Sequence, residues 1–345
     1  MTHPVRVAVF GCGLIGSRWD EARAEDAPSL THGRAFSRHA GSRVVAFCDV
    51  DHERARAAAA RWGGTAHADA AGLFAAHEVD LVVVASASAA RSSVIEPALA
   101  AGVKTLVIEK PLAPTLAEAQ RLAGLIDAAG ARGLVNFSRH WDPSMQALGR
   151  QLRAGEFGAP QRMLGLYGKG LANCGSHMVD LARLLWQAVP VRARALGSPL
   201  QAGEADWSQG SDTAPDAQVE LRDAAGRTLH LDLLGTDARD WFCFELRLIC
   251  RDATVELTHG GRRIDVLPIA ADPDYPGYRI PGPRQSLPAR ALESMDRMAD
   301  EAIALARGDV AHARCDARNA LLTALTVDAI RRSAAGGGWV EIEHP

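Results

Sequence analysis

An apolar, largely β-branched run, Val5-Arg6-Val7-Ala8-Val9-Phe10, ends in Gly11-Cys12-Gly13-Leu14-Ile15-Gly16, and a helical segment is predicted to follow. A buried strand that turns this sharply into a helix leaves few folds open. The first glycine allows the turn, the second lets backbone approach a pyrophosphate, and the third lets helix pack on strand. A helix start placed there offers its N–H groups to phosphate oxygens. Glycines in this spacing are common, but the strand, tight turn and helix around them make a dinucleotide site. Gly11, Cys12, Gly13, Leu14, Ile15 and Gly16 are therefore the first candidate cofactor-binding residues.

The next strand, Arg43-Val44-Val45-Ala46-Phe47-Cys48, ends at Asp49. A carboxylate there accepts hydrogen bonds from both adenosine ribose hydroxyls and repels a 2′-phosphate, so NAD is favoured over NADP. Arg54, a helical turn further on, keeps NADP as the lesser reading. Gly16 and Asp49 lie further apart than the roughly 20 residues usual for this motif. The excess is the charged segment 20–32, read as an insertion that breaks the first helix and forms a surface loop.

Asp80-Leu81-Val82-Val83-Val84 is a wholly apolar strand after its first residue, and it opens onto the small residues 85–90. Small side chains at that point leave room for a ligand at the carboxyl edge of a sheet, which adds Ala85 and Ser86 to the cofactor set. A helix over 95–101 is closed by Gly102. The strand 104–108 then delivers Glu109-Lys110-Pro111. The chain keeps only three lysines, Lys104, Lys110 and Lys169, and uses arginine almost everywhere else. An ammonium can give and take a proton where a guanidinium cannot, so Lys110 is a candidate catalytic group. Strands alternating with helices in this way mean a doubly wound parallel sheet, with its last helix over 115–129.

The chain's 345 residues suggest about two domains, placed here at 1–134 and 135–345. The second is predicted as an α/β domain with a large open, mostly antiparallel sheet. Its β-like runs are 161–167, 191–196, 218–221, 228–234, 242–250 and 254–257, with helices over 144–154, 291–306 and 316–333 and a closing strand over 339–342. Segments 203–215 and 272–288 read as long loops.

Between the first two of those runs lies Tyr167-Gly168-Lys169-Gly170-Leu171-Ala172-Asn173-Cys174-Gly175-Ser176-His177-Met178-Val179-Asp180. A helix starting near Ser176, capped by that hydroxyl, would bury Met178, Leu181, Leu184 and Leu185. His177 and Asp180 share another face. A histidine in the first turn of a helix after a glycine-rich approach is placed to accept a proton from a bound hydroxyl. No third ligand stands at a usual zinc spacing, and the six cysteines form no C-x-x-C pair, so no metal is expected. A net charge of -3 with scattered arginines gives no sign of a nucleic-acid partner. No apolar stretch reaches the length of a membrane span and no leader pattern opens the chain, so a cytoplasmic protein is expected.

Together, Gly11 to Gly16, Asp49, Glu109-Lys110-Pro111 and Gly175-Ser176-His177-Met178-Val179-Asp180 resemble the Gfo/Idh/MocA family of NAD(P)-dependent oxidoreductases. The likeness extends to the closing helix and Trp339-Val340-Glu341. It implies an N-terminal Rossmann domain and a C-terminal α/β domain whose open sheet often mediates homodimers or homotetramers. It also implies a sugar, cyclitol or sugar-nucleotide substrate whose secondary alcohol exchanges a hydride with nicotinamide. By the same resemblance Lys110 is the catalytic lysine, Glu109 lies on the nicotinamide side, and His177 is the general acid/base. Arg139, Trp141, Tyr167, Lys169 and Asn173, with Lys110 and His177, are the substrate-binding candidates. Two departures stand out. Asn173 occupies a position where the family often has aspartate, and Ser86-Ala87-Ser88-Ala89-Ala90-Arg91 replaces its usual Thr-Pro-x-x-x-His. A non-enzymatic NAD-binding sensor of the same fold, or a glycosidase with tightly bound NAD in a closed redox cycle, are the alternative functions.

Overall fold

The computed structural model describes residues 3–196, 213–236, 238 and 240–344. Strands β1 (Val5–Phe10), β2 (Ser42–Cys48), β3 (Thr65–His67), β4 (Leu81–Val84), β5 (Thr105–Glu109) and β6 (Arg132–Asn136) form a six-stranded sheet in the order β3-β2-β1-β4-β5-β6. Every pairing in it is parallel. All residues of β4 and β5 are buried, as expected of a parallel sheet with covered faces. The order reverses between β1 and β4, and ligands of such sheets bind in the crevice outside the carboxyl ends at that switch. Gly11 and Ala85, which follow these two strands, stand there.

The connecting helices are α1 (His32–Arg38), α2 (His52–Trp62), α3 (Ala70–Ala76), α4 (Ser92–Ala100) and α5 (Leu116–Ala128). Thr31, Asp51, Asp69 and Thr115 cap four of them, each side chain accepting from a backbone N–H of the first turn. Such caps satisfy donors that the helix itself cannot, at about 1 kcal/mol each.

Further along come α6 (Pro143–Arg153), β7 (Pro160–Tyr167), α7 (Ser176–Trp186), β8 (Val189–Ala195), β9 (Ala217–Arg222), β10 (Thr228–Gly235), β11 (Phe244–Cys250), β12 (Ala253–Thr258), β13 (Arg263–Ala271), β14 (Arg279–Pro281) and β15 (Gln285–Leu287). The chain closes with α8 (Ser294–Arg307), α9 (Ala317–Gly336) and β16 (Val340–Glu341). The second sheet has ten strands in the order β14-β13-β12-β11-β7-β10-β9-β8-β16, with β15 beside β13. Only the β10–β7 pairing is parallel among those described. Buried and less buried residues alternate along β9 and β11, the mark of a sheet with one face covered. Helix α7 lies against β7 and β10. Gly165 in β7 makes room for it, since a Cβ there would sit 3.2 Å from Met178 Sδ.

Contacts divide the chain into two compact units, Met1–Asp142 with Leu292–Leu321, and Pro143–Ala291 with Leu322–Pro345. A single division after residue 134 misses this return of the chain. Helix α8 packs on α1, β1, β4, β5 and β6 of the first unit, and Arg132 Nη1 donates to Leu305 O at 2.6 Å. An amphipathic pattern tells that a helix is half buried but not which sheet it covers.

Other departures are local. No continuous helix follows Gly16: residues 14–17 form turns and Arg18–Asp20 a 3-10 turn. Ser176 opens α7 without capping it. Segment 272–288 is not a simple loop, because β14 and β15 pair with β13. Strands β3, β6 and β13 escaped a reading by apolar alternation, the first because it is three residues long. Residues 203–212 of the expected loop 203–215 lie outside the described residues. Among the described residues no helix is long and apolar enough to cross a membrane.

Candidate active site

The glycine turn is dictated atom by atom. Gly11 has φ +93°, and a Cβ on it would stand 2.5 Å from Ser86 N and 2.6 Å from Ala85 C. A Cβ on Gly16 would stand 1.9 Å from Gly11 O, so the turn closes on itself only without a side chain. Gly13 differs, since a Cβ there would meet nothing within 4 Å. Ser17 N and Arg18 N donate back to Gly13 O, and Trp19 N to Leu14 O, forming one helical turn whose amino end is Gly13 to Gly16. The N–H groups that open such a turn have no acceptor within it and are suited to an anion. Asp49 braces the arrangement: its Oδ2 accepts from Cys12 N at 2.7 Å and its Oδ1 from Asp51 N at 2.9 Å. Arg54 is paired with Asp51 at 3.1 Å.

Segment 20–32 is not a plain surface loop. Asp20 is fully buried, and its Oδ2 accepts from Leu30 N, Thr31 N and Thr31 Oγ1 at 2.9, 2.8 and 2.7 Å. Arg23 lies 3.2 Å from its other oxygen. The segment is thereby folded back on the glycine turn, with His32 N donating to Ile15 O and Gly33 N to Gly16 O. Helix α1 thus occupies the place expected of a helix running on from Gly16.

This return sets His32, fully buried, against Glu109 at the end of β5, with Nε2 2.8 Å from Oε1. Asn136, at the end of β6, donates Nδ2 to the same oxygen at 2.7 Å. Arg91, 2% exposed, donates Nη2 to Lys110 O at 3.2 Å. Burial pushes the Glu109 carboxyl up, but the bonds from His32 and Asn136 and the charge of Arg91 outweigh it and hold the group below its ordinary value. Burial lowers Arg91 to about 10, with Glu109 working against the shift. Arg91 Nε and Nη1, Asn136 Oδ1, His32 Nδ1 and Ser86 Oγ are buried without a partner among the described residues. Buried polar groups are seldom left so. With the open side of Gly13, these orphans fit a polar dinucleotide lying along the carboxyl ends of β1, β4 and β5.

The second unit holds the other candidates on one turn. After β7 the chain passes Gly168, where a Cβ would stand 2.5 Å from Ala238 O, and then Lys169, a non-glycine residue at φ +58°. Backbone of this kind costs energy and clusters at functional sites. Residues Leu171–Gly175 form a π-helical turn that runs straight into α7. Ser176 Oγ donates to Ala172 O at 2.7 Å and Asn173 O at 3.0 Å, which is why it is not a cap. Lys169, Asn173 and His177 are partly exposed on this turn, whereas Asp180 is buried beside Arg183.

Two of the substrate-binding candidates, Trp141 and Tyr167, are buried. Trp141 is 1% exposed, and Tyr167 is fully buried with its hydroxyl donating to Pro215 O at 2.7 Å. Neither ring presents a face to solvent, because apolar aromatic area is worth more in the core than at a wall. Arg139, on the 3-10 turn Ser138–Trp141, keeps partial exposure. Sequence reasoning missed the contacts of His32 and Asn136 with Glu109 and the inward turn of Arg91, since each is made only by long-range folding.

Residues 5–137 match the Gfo/Idh/MocA family model, described as an oxidoreductase family with an NAD-binding Rossmann fold. The chain is 34% identical over 154 residues to D-apiose dehydrogenase of Paraburkholderia graminis, a match covering 44% of this chain and 37% of that protein. It is 38% identical over 159 residues to inositol 2-dehydrogenase 1 of Saccharopolyspora erythraea, covering 45% and 43%. The chain therefore spans less than half the length of these two curated relatives. Among solved structures, levoglucosan dehydrogenase in complex with NADH and levoglucosan superposes with a TM-score of 0.76 at 17% identity, covering 99% of this chain and 100% of that one. An NAD-binding oxidoreductase from Klebsiella pneumoniae gives 0.75 at 19% identity, with 100% of both chains covered. At such identities the structural likeness is one of fold.

Proposed function

We propose, from the membership of residues 5–137 in the Gfo/Idh/MocA family of oxidoreductases with an NAD-binding Rossmann fold, that the protein is an NAD-dependent dehydrogenase of a sugar-like or cyclitol secondary alcohol. The observation that carries this reading is the delivery of Glu109 and Lys110 from β5, on the sheet whose switch point holds the glycine turn, with Glu109 kept ionised by His32, Asn136 and Arg91.

Gly11 to Gly16, Ala85 and Ser86 would hold the cofactor's phosphates and nicotinamide half, and Asp49 its adenosine ribose. NAD, when bound, supplies the hydride acceptor or donor. Lys110 polarises the substrate oxygen and stabilises the alkoxide that develops on oxidation, and His177 takes the hydroxyl proton. Asn173 orients His177 or a sugar hydroxyl through hydrogen bonds, without the charge an aspartate would bring. Arg139 and Lys169 bind further hydroxyls. A homodimer or homotetramer in the cytoplasm completes the reading, with the open sheet of the second unit as its contact surface; Leu234 of β10 and Ile280 of β14 are exposed apolar side chains there.

The test is titration of the protein with NADH and NADPH, followed by a polyol and sugar screen with whichever binds. Tight NADH binding with turnover that Lys110→Ala abolishes, while NADH affinity persists, supports the assignment. Comparable loss of binding and turnover would remove Lys110 from catalysis. Binding with no turnover on any substrate moves the reading to a sensor, and NAD retained through purification with no net NADH moves it to a closed redox cycle.

A further inference from the structure

We propose that His67 and His77 form a binding site for a late first-row divalent metal ion, of the Zn2+ or Cu2+ class, at the edge of the six-stranded sheet. Their Nε2 atoms stand 3.2 Å apart. Thr65 Oγ1 lies 2.9 Å from the first and 2.7 Å from the second, so three donor atoms converge on one point. The rings lie at 89° to one another with centroids 5.2 Å apart. An ion bound at about 2.0–2.1 Å from each nitrogen would see them about 100° apart, close to the tetrahedral angle zinc adopts.

The convergence is built by rigid elements. His67 ends β3, where it is in register with Cys48 of β2, and its carbonyl accepts from Asp49 N at 3.2 Å. His77 follows α3, and its N–H donates to Leu73 O at 3.0 Å. Two imidazoles and one hydroxyl at these distances must share protons, one ring nitrogen donating where the other accepts. A metal ion replaces the shared proton and needs both rings neutral.

Asp69, two residues after His67, caps α3 by accepting from Gly72 N at 2.7 Å. All three converging residues keep partial or full exposure, which leaves remaining coordination positions to water. β3 is four strand spacings from β5, or about 19 Å at 4.8 Å per strand. The ion would tie the end of α3 to the edge strand and take no part in chemistry at Lys110.

The test compares chelator-stripped wild-type protein with His67→Ala and His77→Ala. Equilibrium dialysis against Zn2+ near neutral pH is expected to leave the wild type one equivalent richer than either variant. Wild-type protein loaded with a single equivalent of Cu2+ is expected to show two imidazole nitrogens in its electron paramagnetic resonance spectrum. NADH affinity of His77→Ala should stay within about twofold of wild type, since folding is kept when a cap residue at a helix end is trimmed. Equal zinc stoichiometry in wild type and His77→Ala, or a copper spectrum without paired nitrogens, would overturn the proposal.

Discussion

His32 Nε2 stands 2.8 Å from Glu109 Oε1, although the two residues are 77 apart in sequence. Because an ionised carboxylate only accepts, His32 is the donor. The contact joins segment 20–32, the first turn of α1 and the end of β5 in one buried unit. Lys110, next in the chain, is anchored from behind by Arg91 at its carbonyl. The position of the proposed catalytic lysine therefore depends on three residues outside its motif.

Replacing His32 by Ala should lower unfolding free energy by about 2–3 kcal/mol, because it leaves a buried charged acceptor short of a donor. The pH dependence follows from the depressed Glu109 carboxyl. Its contribution is present above the unfolded-state value of 4.5 and lost as pH falls through the lower folded-state value. Urea unfolding of wild type and Glu109→Gln should differ most near neutral pH and converge on acidification below about 4.5. A gap that widens in acid would contradict the assigned sign.

The three glycines of the turn should separate stability from binding. Gly16→Ala forces a Cβ to within 1.9 Å of Gly11 O, and Gly11→Ala adds strain at φ +93°. Each should cost about 2 kcal/mol or more. Gly13→Ala meets no atom within 4 Å and should unfold like wild type. If the pyrophosphate passes over Gly13, the same variant should bind NADH about tenfold more weakly, a loss of about 1.4 kcal/mol. Thermal melts and NADH titration on the three variants decide this.

These contrasts show what a sequence can carry. The places of the glycine turn, Asp49 and Glu109-Lys110 were legible because each is a local pattern at a strand end. The doubly wound sheet was legible for the same reason, since β4 is apolar throughout and β5 is apolar over 106–108. His32 was not, because a buried aspartate, Asp20, had to fold 20–32 back before the histidine could reach β5. Nor was the place of α8, whose apolar stripe matches either sheet equally well. Nor was the burial of the substrate-binding candidates Trp141 and Tyr167, since an aromatic side chain suits core and binding surface alike. Periodicity encodes how much of an element is covered, and long-range contacts encode by what.

Acid should reveal the histidine pair without any metal. The His67 imidazolium is disfavoured first by burial and then by His77, with Asp69 opposing and His52 adding to the effect. Its folded-state value therefore lies below 6.5, the unfolded chain binds the extra proton, and stability falls as pH drops from 6.5 toward that lower value. In His77→Ala one cause of the depression is gone, so the loss of stability over that window should be smaller than in wild type. Parallel pH profiles of melting temperature for the two proteins would show that the pair is not electrostatically coupled.

Asp49 should decide between the two nicotinamide cofactors. Its Oδ2 is committed to Cys12 N and its Oδ1 to Asp51 N. Its negative charge at the end of β2 still opposes a 2′-phosphate, and a neutral residue there removes the repulsion without supplying a cation. Asp49→Ser should thus weaken NADH by loss of ribose hydrogen bonds and tighten NADPH modestly by loss of the repulsion, narrowing the preference by about 1–2 kcal/mol, or roughly five- to thirtyfold. Arg54 does not reverse the preference in that variant because it remains paired with Asp51 at 3.1 Å. Releasing it with Asp49→Ser combined with Asp51→Ala should carry the preference further toward NADPH than Asp49→Ser does. Equal ratios of NADH to NADPH affinity in wild type and Asp49→Ser would show that the carboxylate braces the glycine turn and reads nothing of the ribose.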